Sequence, residues 1–132
     1  MNFRDNQPIY LQIAEKICDD ILAGIYLADQ RLPSVREYGV KALVNSNTVM
    51  RTYDHLQSHG IIFNRRGIGF YVSPDAVEKI LATRRDVFMK DELPYLFSRL
   101  KSLGITTAQL SKLYDDYLMS CNGSKSPRDM ID

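Results

Sequence analysis

Apolar residues recur along this chain in two rhythms. Over residues 8–23, Ile9, Ile13, Ile17 and Ile21 return every four positions with Ala14, Cys18 and Leu22 beside them. That is the spacing of one face of an α-helix. Pro8 suits the first turn, where a missing N–H is no loss, and Gly24 suits the C-terminal cap. Ile25 to Arg31 reads as a connector. Ser34 then opens a short helix, and Glu37 three residues on completes a capping box. Tyr38, Ala42 and Leu43 are expected to face inward there, and Gly39, a weak helix former, fits only close packing. Asn45 caps a further helix that runs to about His59 and stops at Gly60. Val49, Tyr53 and Leu56 form its buried stripe, which leaves Ser46, Asn47, Thr48, Arg51, Thr52 and His55 facing out.

From residue 61 the rhythm changes. Ile61, Ile62 and Phe63, then Phe70, Tyr71 and Val72, are β-forming runs on either side of Asn64-Arg65-Arg66-Gly67-Ile68-Gly69. They predict a hairpin with a Gly-containing loop. Ser73 and Pro74 start another helix, with Val77, Ile80, Leu81, Arg84 and Phe88 along one side. Glu92-Leu93-Pro94 is expected to interrupt it, because proline is poorly tolerated in a helix interior. Leu96, Phe97, Leu100 and Leu103 mark the next helix, which stops at Gly104. Thr106 and Gln109 form a second capping box ahead of Leu110, Leu113, Tyr114, Tyr117 and Leu118. From Ser120 onward the periodicity fades.

The predicted fold class is mainly α with a small β-hairpin. An N-terminal winged helix-turn-helix (residues 1–73) is followed by a short all-helical module (74–121) and a flexible tail (122–132). Two short helices with a tight connection, the second carrying a polar outer face, are the layout by which one helix is displayed to DNA.

Composition narrows the class. At 132 residues, 45% hydrophobic and 25% charged, the chain has the make-up of an ordinary globular protein. No apolar run approaches the roughly 20 residues that span a bilayer, and MNFRDNQPIY has no signal-peptide core. Cys18 and Cys121 are far apart, without metal spacing, and read as buried free thiols. A cytoplasmic protein is expected. The net charge of +1 hides an uneven division. Residues 1–29 carry Arg4 and Lys16 against five acids, a net −3. Residues 30–73 carry Arg31, Arg36, Lys41, Arg51, Arg65 and Arg66 against Glu37 and Asp54, a net +4. The remainder balances, with nine of each sign. Positive charge is thus concentrated where a phosphate backbone would need it.

Short hydrogen-bonding side chains at a helix start, with an arginine, suit base edges and phosphates. Two arginines at a hairpin tip suit the phosphates or minor groove beside them. Each feature taken alone also describes a solvated surface, and a winged helix can serve protein binding instead of DNA. Catalysis finds little support: there is no Gly-rich phosphate loop, no metal cluster and no nucleophile with a base. His55 and His59 have metal-compatible i, i+4 spacing, but no carboxylate or cysteine partner is evident. No cofactor and no metal are expected.

Leu32-Pro33-Ser34-Val35-Arg36-Glu37 resembles the LPS-x-R-E signature of the GntR family of bacterial winged-helix regulators. Asn45-Ser46-Asn47-Thr48-Val49, Tyr53, Leu56, Gly60-Ile61-Ile62 and Arg66-Gly67-Ile68-Gly69-Phe70-Tyr71-Val72 continue the pattern in register over about residues 8–73. The asparagine-rich helix start and the short C-terminal part are similar to the YtrA-like subfamily, whose members carry a small helical dimerisation module. The resemblance implies a homodimeric repressor on double-stranded, palindromic operator DNA. It implies DNA contacts from Arg36, Asn45, Ser46, Asn47, Thr48, Gly67 and Arg66, to which the residue pattern adds Arg51, Thr52 and Arg65. Ser46 and Met50 stand where many relatives place arginine, and Arg51 is common in this subfamily. Some relatives fuse the winged helix to a pyridoxal-phosphate-binding domain, which is not expected within these 132 residues.

The C-terminal helices total under 60 residues and would gain from a partner chain. Leu81, Phe88, Leu96, Leu100, Leu113 and Tyr117 are the expected dimer contacts. A small-molecule effector, its identity not readable, has a candidate seat among Phe88, Tyr95, Phe97, Tyr114 and Tyr117; aromatics at helical spacing also read as core or dimer contact.

Overall fold

The computed structural model describes residues 6–124. Six α-helices and one hairpin follow in order: α1 (Ile9–Leu22), α2 (Val35–Ala42), α3 (Ser46–Ser58), β1 (Ile62–Arg65), β2 (Gly69–Val72), α4 (Ala76–Val87), α5 (Leu93–Ser102) and α6 (Thr107–Ser124). They fall into two compact units, the first ending at Arg85 and the second starting at Asp86.

In the first unit, α1 buries Ile13, Ala14, Ile17, Cys18 and Ile21, as its four-residue spacing predicts. Ile9 stays exposed at the open end. The core continues through Leu32, through Val49, Tyr53 and Leu56 of α3, through Ile61, Ile62 and Val72 of the hairpin, and into Ala76 and Ile80. The first turns of α4 therefore belong to the same core, and packing carries the unit beyond Ser73. Arg84 ties α4 back to α1 with Nη2 3.1 Å from Glu15 and 2.8 Å from Asp19. Such half-exposed pairs contribute about 1 kcal/mol or less, so burial of Ala76 and Ile80 does most of the docking.

Both N-terminal capping devices form. Ser34 Oγ accepts the Glu37 N–H at 3.1 Å and Glu37 Oε1 accepts the Ser34 N–H at 2.8 Å; Asn45 Oδ1 accepts the Asn47 N–H at 2.8 Å. These bonds satisfy backbone donors that a helix start leaves open. Between the two helices, Gly39 is buried, and a Cβ on it would sit 2.7 Å from the Val44 carbonyl oxygen. The turn is tight enough that only glycine fits without displacing backbone.

Three expectations are corrected in this region. Ala42 and Leu43 do not face inward: Leu43 is 92% exposed and ends α2 in the left-handed conformation at φ 57°. Turning the chain sharply toward α3 takes Leu43 off the helical face that its spacing implied. Val35, Tyr38 and Val44 pack against the core instead. Second, Gln30 to Leu32 are more than a connector. The Val72 N–H donates to Gln30 O at 2.9 Å and the Leu32 N–H to Phe70 O at 2.8 Å, and Arg31 pairs antiparallel with Tyr71. This stretch covers the edge of β2 that β1 leaves open, which blunts an otherwise unpaired strand. Third, α4 starts at Ala76 rather than at Ser73, whose N–H is taken by Ile61 O at 3.0 Å.

The hairpin is antiparallel, with Ile62 opposite Val72, Phe63 opposite Tyr71, Asn64 opposite Phe70 and Arg65 opposite Gly69. Pairing extends one step further toward the tip than the β-forming runs suggested, so Arg65 closes a strand and Arg66 begins the loop.

In the second unit, Pro94 does not break the path. A π-helical turn over Phe88–Glu92 leads straight into α5, with Pro94 in the first turn of that helix. A wider turn relieves the collision between the proline ring and the preceding carbonyls and tolerates the missing donor. The Thr106–Gln109 capping box forms, with the Thr106 N–H to Gln109 Oε1 at 2.8 Å and the Gln109 N–H to Thr106 Oγ1 at 3.2 Å. Helix α6 runs on through Ser120 to Ser124 and buries Cys121, so the fading of periodicity there did not mark its end. The expected flexible tail otherwise lies outside the described residues. No helix among them is long and apolar enough to cross a membrane.

Leu43→Gly should raise stability by up to about 1 kcal/mol, because a left-handed leucine costs more than the extra chain entropy of glycine. Thermal denaturation monitored by circular dichroism checks this; a lowered midpoint would show that the exposed leucine side chain carries an uncounted contact.

Candidate DNA-binding surface

The buried stripe of α3 decides what its opposite face can present. Val49, Thr52, Tyr53 and Leu56 point into the core, which leaves Ser46, Asn47, Met50 and Arg51 exposed and Thr48 half-buried. Asn45 is exposed, but its side-chain oxygen is committed to the cap. The first two turns of α3 therefore offer hydroxyl and amide groups followed by one guanidinium.

Thr52 is a correction. Expected on the outer face, it is fully buried, and its hydroxyl lies 2.7 Å from the Tyr10 carbonyl and 3.2 Å from the Thr48 carbonyl. A threonine can take an inward position because its hydroxyl finds a backbone acceptor where water is excluded. It is a structural tie between α3 and α1, not a group available to DNA.

The Arg51 guanidinium carbon lies 4.0 Å from the centroid of the Tyr10 ring. Arg36 is exposed near the start of α2, and no ion pair occupies it among the described residues. On the hairpin, Arg65 lies over Tyr71 at 4.6 Å and reaches Phe63 at 5.8 Å, the two rings being a stacked cross-strand pair. Arg66 and Gly67 are exposed at the tip. Gly67 has φ 78° with open space around it, so the loop needs glycine for backbone conformation.

Sequence reasoning missed two residues. Tyr10 lies outside the pattern of candidate contacts because the isoleucine spacing of α1 reads as scaffold; its signal is an aromatic with a polar tip at the exposed end of that stripe. Arg31 was counted as charge but assigned to a connector, although its side chain lies against the wing, within 2.9 Å of where a Gly69 Cβ would be.

His55 and His59 have ring centroids 4.4 Å apart. Among the described residues no group of three or more His, Cys, Asp or Glu gathers to hold a metal. The aromatics considered for an effector seat, Phe88, Tyr95, Phe97, Tyr114 and Tyr117, are all exposed.

Residues 9–72 match the model of the bacterial regulatory proteins of the gntR family. The HTH-type transcriptional regulator YhcF of Bacillus subtilis is 34% identical over 82% of this chain and 88% of its own length. The chain belongs to the GntR family. The HTH-type transcriptional repressor YtrA of Bacillus subtilis is 31% identical over 92% of this chain and 93% of its own, which supports the YtrA-like subfamily. A GntR-family transcriptional regulator of known structure from Bacteroides thetaiotaomicron is 47% identical, covers 86% of this chain and 98% of its own, and superimposes with a TM-score of 0.76. This GntR protein is a DNA-binding transcriptional regulator, and its family and full-length relatives are regulators rather than enzymes.

Thr52→Val should cost about 1–2 kcal/mol in urea denaturation, the loss expected when a buried hydrogen bond is removed; an unchanged midpoint would mean the Tyr10 carbonyl is satisfied without it. The pH dependence of stability has two limbs. Burial, reinforced by His59, lowers the His55 pKa below its ordinary 6.5, against an opposing pull from Glu15. Below that value the unfolded chain gains a proton that the folded state resists, so stability falls as pH drops through it. Burial, with Glu15, pushes the Cys18 thiol up to about 12 from 9.0, Arg84 opposing. The unfolded chain loses that proton first, so stability falls again as pH rises from about 9; the raised Tyr26, Tyr38 and Tyr53 phenols act in the same sense. Denaturation midpoints at a series of pH values check both limbs, and His55→Gln should flatten the fall on the acid side of the ordinary histidine value of 6.5.

Proposed function

We propose that this protein is a cytoplasmic homodimeric repressor that binds a palindromic operator. Its N-terminal part, up to about residue 73, reads DNA, and residues 74–121 pair two copies. The carrying observation is that Arg36, with no ion pair among the described residues, the polar start of α3 and an arginine-bearing wing all stand exposed on one compact unit. On this reading Ser46, Asn47 and Thr48 meet base edges from the start of a recognition helix in the major groove. Arg51 adds a bidentate donor, and Arg65 and Arg66 reach phosphates or the minor groove beside it. The local charge of residues 30–73 supplies the sequence-independent attraction.

Pairing is supported by apolar surface. Phe88, Leu96, Leu113 and Tyr117 are exposed on the helical part of a single chain, with Leu81 and Leu100 half-buried. Exposed apolar surface on that scale marks an interaction face. A two-fold dimer presents two recognition helices, which is what a palindromic site requires. Repression is drawn from the relative YtrA, named a transcriptional repressor.

Selection of bound fragments from a genomic library, followed by mobility-shift assays, tests this reading. The enriched site should be palindromic, sedimentation should give a dimer, and a reporter behind that site should rise when the protein is removed. Affinity should fall steeply with salt, and Arg51→Ala should cost about 1–3 kcal/mol of binding. Retention of no DNA would favour a winged helix used for protein contacts.

A further inference from the structure

We propose that Tyr10 is a positioning residue for base reading: its ring holds the Arg51 guanidinium in place on the recognition helix before DNA arrives. The proposal rests on the reading above that Arg51 contacts the operator.

Two consecutive residues of α3 grip Tyr10 from different sides. Thr52, buried, donates its hydroxyl to the Tyr10 carbonyl at 2.7 Å. Arg51, exposed, lies over the Tyr10 ring with its guanidinium carbon 4.0 Å from the centroid. The ring is steadied in turn by His55, one turn along α3, which meets it edge-on with centroids 6.1 Å apart. Beneath, the turn that carries Tyr10 is anchored by the Leu11 and Gln12 N–H groups donating to the Pro8 carbonyl at 3.0 and 3.1 Å. A residue of the scaffold helix is thereby fixed against the recognition helix by backbone, ring face and ring edge.

The chemistry suits a reader of bases. An arginine side chain is long and loses much rotamer freedom when it is ordered on DNA. A guanidinium lying over a ring is attracted through its face and leaves its in-plane N–H donors unused. Those are the donors that pair bidentately with guanine O6 and N7. A carboxylate partner would occupy the same donors and have to be displaced; among the described residues Arg51 has none. The ring therefore restricts Arg51 without competing for its N–H groups, which is preorganisation in the ordinary sense.

The test is a double-mutant cycle on the selected operator, with thermal midpoints recorded for every variant. Tyr10→Phe keeps a ring and should bind as the parent does. Tyr10→Leu keeps bulk without a π face and should weaken binding about two- to five-fold, the scale of an exposed cation–π contact. In an Arg51→Ala background, Tyr10→Leu should have no further effect on affinity. In nuclear magnetic resonance spectra the Arg51 side-chain protons should carry an upfield ring-current shift that persists on binding, a readout available even if Tyr10→Leu folds poorly. Unchanged or tighter binding by Tyr10→Leu, while Arg51→Ala binds weakly, overturns the proposal: the ring would then be idle or sequestering. So does a Tyr10→Leu loss that survives in the Arg51→Ala background, or a ring-current shift that vanishes in the complex. An Arg51→Ala protein with full affinity removes the underlying contact, and the role of Tyr10 with it.

Discussion

The phenol of Tyr53 is fully buried, and its hydroxyl donates to the Pro33 carbonyl at 2.6 Å. A phenol taken out of water without such a partner would cost about 1–3 kcal/mol. The bond therefore does two things: it makes an aromatic core residue tolerable in α3, and it locks α3 to the chain just ahead of α2. Around the same ring, Phe70 of the hairpin stands edge-on at 5.0 Å between centroids and Tyr38 of α2 at 6.4 Å. The scaffold stretch before α2, α2 itself and the wing thus all take their positions from one side chain of the recognition helix. Rotating α3 would break each of these contacts at once. That is why its polar face is held in a single orientation.

On that fixed frame two of the exposed arginines are treated alike. Arg51 lies over Tyr10 and Arg65 over Tyr71, with Phe63 alongside. Each guanidinium is kept near the surface by an aromatic face and remains free to donate. A protein of net charge +1 gains its affinity for a polyanion from where the charges sit, and here most of the excess sits on the helix-turn-helix and its wing. The acidic face of α1 is meanwhile occupied: Arg84 engages Glu15 and Asp19, and Lys16 engages Asp20 at 2.8 Å.

Much of the fold and most of the candidate surface were legible in the chain. Capping residues announced the starts of α2, α3 and α6 because a helix terminus must satisfy its own donors locally. The isoleucine spacing of α1 and the β-forming runs of the wing reported their buried faces directly. The outward residues of α3 followed from its inward ones, except that Thr48 and His55 are half-buried and Thr52 fully so: a hydroxyl can be inside when a carbonyl from another helix awaits it, and that carbonyl, from Tyr10, lies far away in sequence. Leu43 was misread for the converse reason. Its apolar side chain fits a helical face on paper, but the tight turn around Gly39 swings it into solvent.

What local chemistry determines by itself is therefore the order of α-helices and strands, the starts of those helices that carry a capping side chain, and the sign of charge on each. These depend on neighbours within one turn or one hairpin, so the residues involved are close together in the chain. Tertiary structure alone decided the rest. It made Gln30 to Leu32 a cover for the edge of β2, drew the first turns of α4 into the core, let a π-helical turn carry the chain past Pro94, and brought Tyr10 against Arg51. Each is a contact or an accommodation whose energy depends on the packing of elements against one another or on a backbone geometry that residue spacing does not encode.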